Sequence, residues 1–183
     1  MKAETYRIVA SETVFRGHIF SVASDRVLFS DGVERDREVV MHPGAAGAVA
    51  LTPEGEVILV RQYRHAVKEI LLEIPAGLLA PGEEPADCIR RELREEVGVE
   101  ARELIPLAAF YTTPGCSNER FHLYLTEGVS PGEPSPEDDE ELEPAVMPFK
   151  EALNMVAAGE ITDAKTIIGL LLAEKHLHLG SGL

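Results

Sequence analysis

Residues Gly77–Val99 read GLLAPGEEPADCIRRELREEVGV. Pro85 suits a first helical turn and Gly98 suits a C-terminal cap, so the stretch predicts a helix over Pro85–Val97. Ile89, Leu93 and Val97 recur every fourth residue and give that helix a buried stripe. Glu92 and Glu96 are likewise four apart and share a face. Like charges at that spacing cost a helix roughly 0.2–0.5 kcal/mol. Glu96 also lies at the edge of the apolar stripe, where partial burial raises the cost of its charge. A divalent cation removes both problems. Mg²⁺ is hard, prefers oxygen and keeps several waters, so two or three carboxylates and one backbone carbonyl suffice. From the glutamates alone, a solvated charged face with an Arg91–Glu95 pair is the simpler account. The flanks weigh against it. Gly77 provides a tight turn before the helix, Gly82-Glu83-Glu84-Pro85 feeds its start, and Arg91 is placed to pair with Glu83 or to hold a ligand carboxylate.

On the N-terminal side, residues 5–41 read as strands: Val14–Phe20, Val22–Phe29 and Val33–Met41, with Ser30-Asp31-Gly32 as a hairpin turn. His42-Pro43-Gly44 punctuates the chain, and a subdomain boundary is expected there: an N-terminal β subdomain over 1–44 and a second domain over 45–183. Ala45–Leu51 and Glu56–Tyr63 make a hairpin around Pro53-Glu54-Gly55, and Ile70–Ile74 is a short strand. After the helix, strands are expected near Leu104–Thr112 and Arg120–Thr126, then a mobile Pro-, Gly- and acid-rich loop over Glu127–Pro144. Val146 begins the return to the core. Phe149–Ala158 is a short helix stopped by Gly159, and Asp163 caps a last helix running to about His176. The order implies an α+β or layered α/β/α domain.

The 183 residues allow one full core with a small appendage, and 45% apolar content is globular. Apolar runs such as Ile167–Ala173 are too short to span a bilayer, and the opening Met1–Arg7 lacks a signal peptide's apolar segment, so a soluble cytoplasmic protein is expected. Cys88 and Cys116 read as two reduced thiols, one on a helix and one in a loop. A net charge of −15 repels nucleic acid and anionic membranes, so neither is an expected partner. It would repel any phosphorylated substrate as well, and such a substrate would have to be met by bound cations and local arginines.

The segment Gly77–Val99 resembles the Nudix box, GX5EX7REUXEEXGU with U a bulky aliphatic residue, at every specified position: Gly77, Glu83, Arg91, Glu92, Leu93, Glu95, Glu96, Gly98 and Val99. Cys88-Ile89 departs mildly from the small alanines of many relatives. The resemblance implies a Nudix-type α/β/α sandwich with an N-terminal antiparallel β subdomain. It implies Glu92 and Glu96 as main metal ligands, Glu95 as an additional or water-mediated one with a catalytic part, and the Ala76 carbonyl as a further ligand. Gly77, Glu83 and Arg91 then support the site from behind. The implied ion is Mg²⁺, with Mn²⁺ as the alternative.

Val60-Arg61-Gln62-Tyr63-Arg64, Leu72-Glu73-Ile74-Pro75-Ala76-Gly77, Tyr111–Arg120 and Gly159–Thr166 resemble the ADP-ribose pyrophosphatase branch, so the resemblance covers about residues 10–175. It implies Mg²⁺-dependent hydrolysis of ADP-ribose, a nucleoside diphosphate sugar, to AMP and ribose 5-phosphate, by a homodimer. Arg64 reads equally as a phosphate clamp or a surface strand arginine; Arg61 is the weaker candidate. Pro114-Gly115 is a wall beside the substrate or an ordinary turn, and Glu119 is a further substrate-binding candidate. In the family the N-terminal strands pack across a dimer and reach the partner's site, so one of Arg26, Arg35 and Arg37 is expected to contact the substrate; the sequence does not choose among them, and Arg37 stands for the three. Within the acidic loop, Glu140 aligns best with a general base and Asp138 second, although a solvated loop explains most of its residues. The alternatives are a Nudix hydrolase for another nucleotide sugar, a dinucleotide or a damaged nucleotide, and a non-catalytic ligand-sensing module. Neither a GxSxG elbow nor a Cys/His pair is present for nucleophilic catalysis.

Overall fold

A computed structural model describes residues 6–135 and 141–180. It divides into two compact units, one of Met1–Gly44 with Phe110–Phe121, the other of Ala45–Ala109 with His122–Leu183. The first holds an antiparallel sheet of β1 (Arg7–Arg16), β2 (Ser21–Leu28) and β3 (Glu34–Met41), in that order. The expected strand Val14–Phe20 is corrected: the chain turns at Gly17, whose N–H donates to the Phe20 carbonyl at 2.9 Å, so β1 ends at Arg16 and starts earlier. The Ser30-Asp31-Gly32 turn is present, with Gly32 at φ 78°.

The second unit is built on a sheet ordered β10-β5-β4-β9-β8, with β6 on β5 and β7 on β4. Its strands are β4 (Ala45–Leu51), β5 (Glu56–Arg64), β6 (Glu69–Glu73), β7 (Ala76–Leu78), β8 (Ile105–Tyr111), β9 (Arg120–Glu127) and β10 (Leu142–Pro148); its helices are α1 (Pro85–Val97), α2 (Phe149–Ala158) and α3 (Ala164–Gly180). β4 explains the layering. All its residues are buried, which requires cover on both faces. Ala46, Ala48 and Ala50 join Ile58 and Val60 in a cluster with Cys88, Ile89, Leu93 and Val97 of α1. Val49 faces the opposite way. A Cβ on Gly169 of α3 would lie 3.1 Å from Val49 Cγ2, so that face is covered by α3, close enough that a side chain there would crowd Val49. The result is the expected α/β/α sandwich, with an antiparallel N-terminal sheet.

Two boundaries differ from expectation. The segment read as loop up to Pro144 already pairs from Leu142, as β10 against β5. β10 is an edge strand, where Pro144 and Pro148 are tolerated because their missing N–H need not face a neighbour. The last helix runs past His176 to Gly180. No helix among the described residues is long and apolar enough to cross a membrane. Both cysteines are free, Cys88 buried and Cys116 exposed.

Candidate active site

α1 starts with Pro85 in its first turn and ends at Gly98, φ 66°, whose N–H caps the Arg94 carbonyl. Its apolar stripe fixes which residues face inward, and Glu92 and Glu96 go in with it, at 6% and 2% exposure. Their carboxylates meet the chain at β7. Glu96 Oε2 accepts the Ala76 N–H at 3.1 Å. Glu92 lies over Gly77, where a Cβ would come within 1.8 Å of Oε1. The glycine is therefore required by the carboxylate above it and not by its own backbone, which has no positive φ. The structure thus brings Ala76, Gly77, Glu92 and Glu96 together.

Arg91 ties this group to the loop before the helix. Its guanidinium donates to Glu83 (3.1 Å), Glu92 (2.7 Å) and Glu95 (3.2 Å), and to the Leu78 carbonyl (3.2 Å). Glu83 in turn accepts the Ala80 N–H at 2.9 Å. Arg91 thus bonds both to Glu83 of the preceding loop and to Glu92 and Glu95 of its own helix. Hydrogen bonding to Glu83 raises the Arg91 pKa further, and the same bond lowers that of Glu83. Burial pushes the Cys88 thiol up to about 12, so it packs as a neutral group.

As arranged, no three His, Cys, Asp or Glu side chains among the described residues are gathered closely enough to hold a metal ion. Arg91 stands against Glu92 and Glu95 as their cation. The donor chemistry nevertheless fits a hard divalent ion: only oxygens, two carboxylates in a buried setting, and a glycine that leaves room beside one of them.

Arg64 lies on β5, half-exposed, and donates through Nε and Nη2 to Glu73 at 2.7 Å each. The bond to Glu73 raises its pKa. Arg61, three residues earlier and so on the other face of the strand by alternation, is exposed and outside this network. Sequence reading did not single out Glu73 or Lys165. The available signal was a glutamate between Leu72 and Ile74 in an otherwise apolar strand.

In the other unit, Arg26 pairs with Asp36 and Arg35 with Asp31, whereas Arg37 donates to the Asp36 carbonyl and lies over the Phe29 ring. Pro114 is exposed in a turn. Glu119 accepts a bond from Thr112 Oγ1 and lies 3.8 Å from His42 Nδ1. Asp138 and Glu140 lie outside the described residues. The described chain on either side is anchored: Ser135 N–H donates to the Glu95 carbonyl at 2.8 Å, and Leu142 pairs with Gln62.

Comparison with known proteins gives three concordant findings. The family described as NUDIX domain matches residues 41–168. An ADP-ribose pyrophosphatase of Bacillus subtilis is 39% identical over 91% of this chain and 91% of its own, and a GDP-mannose pyrophosphatase of Cronobacter sakazakii is 36% identical over 81% and 84%. A crystal structure of an ADP compounds hydrolase superposes with a TM-score of 0.84 at 25% identity, covering 100% of this chain and 98% of that one.

Proposed function

This chain belongs to the Nudix family and is a pyrophosphohydrolase of it; from that premise we propose that it hydrolyses ADP-ribose, with Mg²⁺, to AMP and ribose 5-phosphate. The observation that carries the reading is the pair Glu92 and Glu96, buried together against Ala76 and Gly77. Two buried carboxylates one turn apart are costly unless something positive joins them. Glu92, Glu96 and the Ala76 carbonyl would hold the ion, with Glu95 beside them. A divalent cation there supplies charge against the diphosphate and acidifies water.

The chain's own groups do the rest. Arg64 binds a phosphate oxygen. Glu140, with Asp138 as second choice, takes a proton as water oxygen bonds to one phosphorus and the bridging P–O bond breaks, its electron pair leaving on the other phosphate. Ser135, which donates to the Glu95 carbonyl, and Leu142, which pairs with β5, are the nearest described anchors on either side of these two residues. Near-normal kcat in Glu140→Gln would remove it from the chemistry. Arg61, Arg37, Pro114 and Glu119 carry over as substrate-binding residues from the family resemblance. Among the described residues Arg37 is exposed and, unlike Arg26 and Arg35, has no carboxylate partner, which supports it as the substrate contact.

The homodimer reading is supported by the N-terminal unit, where β1 is exposed throughout and Ile8, Val14, Phe15, Ile19 and Phe20 are uncovered. Sedimentation at micromolar concentration should give twice the chain mass; a monomer would remove it.

The likeness to a GDP-mannose pyrophosphatase supports one second reading, another nucleotide sugar as substrate. Incubation with ADP-ribose and Mg²⁺ in ¹⁸O-water decides. AMP and ribose 5-phosphate should appear with label on the attacked phosphate. Turnover of GDP-mannose or an oxidised dNTP with ADP-ribose untouched contradicts the substrate assignment.

A further inference from the structure

The inference rests on Arg64 as the phosphate clamp and concerns what aims it. Glu73 ends β6 at 1% exposure. Its carboxylate meets the guanidinium edge-on, Arg64 Nε donating to Oε1 and Nη2 to Oε2. Lys165 Nζ donates to the same Oε2, and also to Asp163 Oδ1 at 2.8 Å. Asp163 Oδ2 caps α3 by accepting the Thr166 N–H (2.9 Å) and hydroxyl (2.6 Å). Thr166 Oγ1 accepts the Ile74 N–H at 2.9 Å, which closes the path back beside Glu73.

Stability alone is a weak reason for this arrangement. A buried ion pair contributes little beyond apolar residues of equal volume. Lys165 also sits in the first turn of α3, the positive end of a helix, where a cation is disfavoured. What the arrangement secures is direction and charge. A guanidinium gripped along one edge cannot swing, and its remaining nitrogen, Nη1, bonds to no described residue. An isolated Arg64–Glu73 pair would be neutral and would pull little on a phosphate. Asp163 pairs with Lys165 through one oxygen and caps α3 through the other, so the four groups are neutral together, and without Lys165 they would carry a net negative charge.

We propose that Glu73 and Lys165 are positioning residues for the hydrolysis: Glu73 clamps Arg64 so that its Nη1 edge is presented to an oxygen of the nucleoside diphosphate, and Lys165 offsets the Glu73 charge so that Arg64 keeps its attraction.

The test is a double-mutant cycle read by calorimetric binding of α,β-methylene ADP-ribose with Mg²⁺, alongside kcat and KM for ADP-ribose. Arg64→Ala and Glu73→Gln should each weaken analogue binding roughly ten- to a hundredfold. In the Arg64→Ala background, Glu73→Gln should change Kd by less than about twofold, because there is nothing left to aim. Should Glu73→Gln fail to fold, Lys165→Met carries the same cycle with the same expectation. Equal losses in both backgrounds would mean a merely structural role and overturn the proposal, as would unaltered binding in Glu73→Gln alone. Unaltered binding in Arg64→Ala would instead remove the clamp itself.

Discussion

The buried carboxylates of α1 and the buried carboxylate of β6 are embedded alike but accompanied differently. Glu73 has two cations, Arg64 and Lys165, one of them shared with Asp163, so its charge is met within the protein. Around α1, the carboxylates of Glu83, Glu92 and Glu95 all pair with the guanidinium of Arg91, and Glu96 accepts the Ala76 N–H. One cluster is balanced; in the other, the ion pairs among the described residues set three carboxylates against one guanidinium, an anionic excess. A balanced cluster orients something. An anionic excess held inside a fold has a use for an external cation, and in a chain of net charge −15 that cation is what lets a diphosphate approach.

The largest effect should come from the α1 side. Glu96→Gln keeps an acceptor for the Ala76 N–H but removes a charge, so kcat should fall on the order of 10²–10³-fold. The thermal midpoint of metal-free protein should hold or rise, since a buried like-charge neighbour of Glu92 is gone. A marked fall in that midpoint would show the α1 carboxylates to be balanced after all.

Gly77→Ala should come next. Its Cβ would sit 1.8 Å from Glu92 Oε1, so the carboxylate must move. Metal affinity by titration should drop roughly 10–100-fold, with little change in the fold. Unchanged affinity would dissociate Glu92 from the ion.

Gly98→Ala is smaller and reads out as stability. The left-handed φ of 66° costs about 1–2 kcal/mol for an alanine, and the Cβ would meet the Gly132 backbone at 2.4 Å. Gly159→Ala, at φ 74° with nothing within 4 Å, should cost only the conformational part. Equal losses in denaturant midpoints would mean that the 130–135 segment does not need its seat on α1.

The finest test falls on the balanced cluster. Burial raises the Glu73 pKa, but the bonds from Arg64 and Lys165 outweigh it and leave the group below its ordinary 4.5. The unfolded chain therefore binds the proton first. The contribution of Glu73 is complete above pH 4.5 and is lost as pH falls through the lowered folded value. Acid titration of stability should be steeper in the wild type than in Glu73→Gln by up to about 1.4 kcal/mol per pH unit below that point. Parallel curves would mean that the carboxylate is no better held than in the unfolded chain.

The two clusters were unequally legible in the sequence. α1 announced itself locally, with Pro85 to start, Gly98 to stop, a four-residue apolar rhythm between and the carboxylates in step with it. Asp163 could be read as a cap from its place before an apolar run, and it does cap α3. Glu73 and Lys165 lie far apart in the chain, and only the packing of α3 against β6 joins them. The Gly17 turn was hidden because Ile19 and Phe20 continue an apolar pattern that ordinarily means strand. β10 was hidden because Pro144 reads as a breaker until the strand is known to lie at a sheet edge.

The central claim, that the anionic excess on α1 exists to hold a dication, is tested most directly by calorimetric titration of Mg²⁺ into protein saturated with α,β-methylene ADP-ribose. The wild type should bind saturably, and the double variant Glu92→Gln, Glu96→Gln should give no binding heat while keeping its fold. Wild-type affinity in that variant would contradict the account.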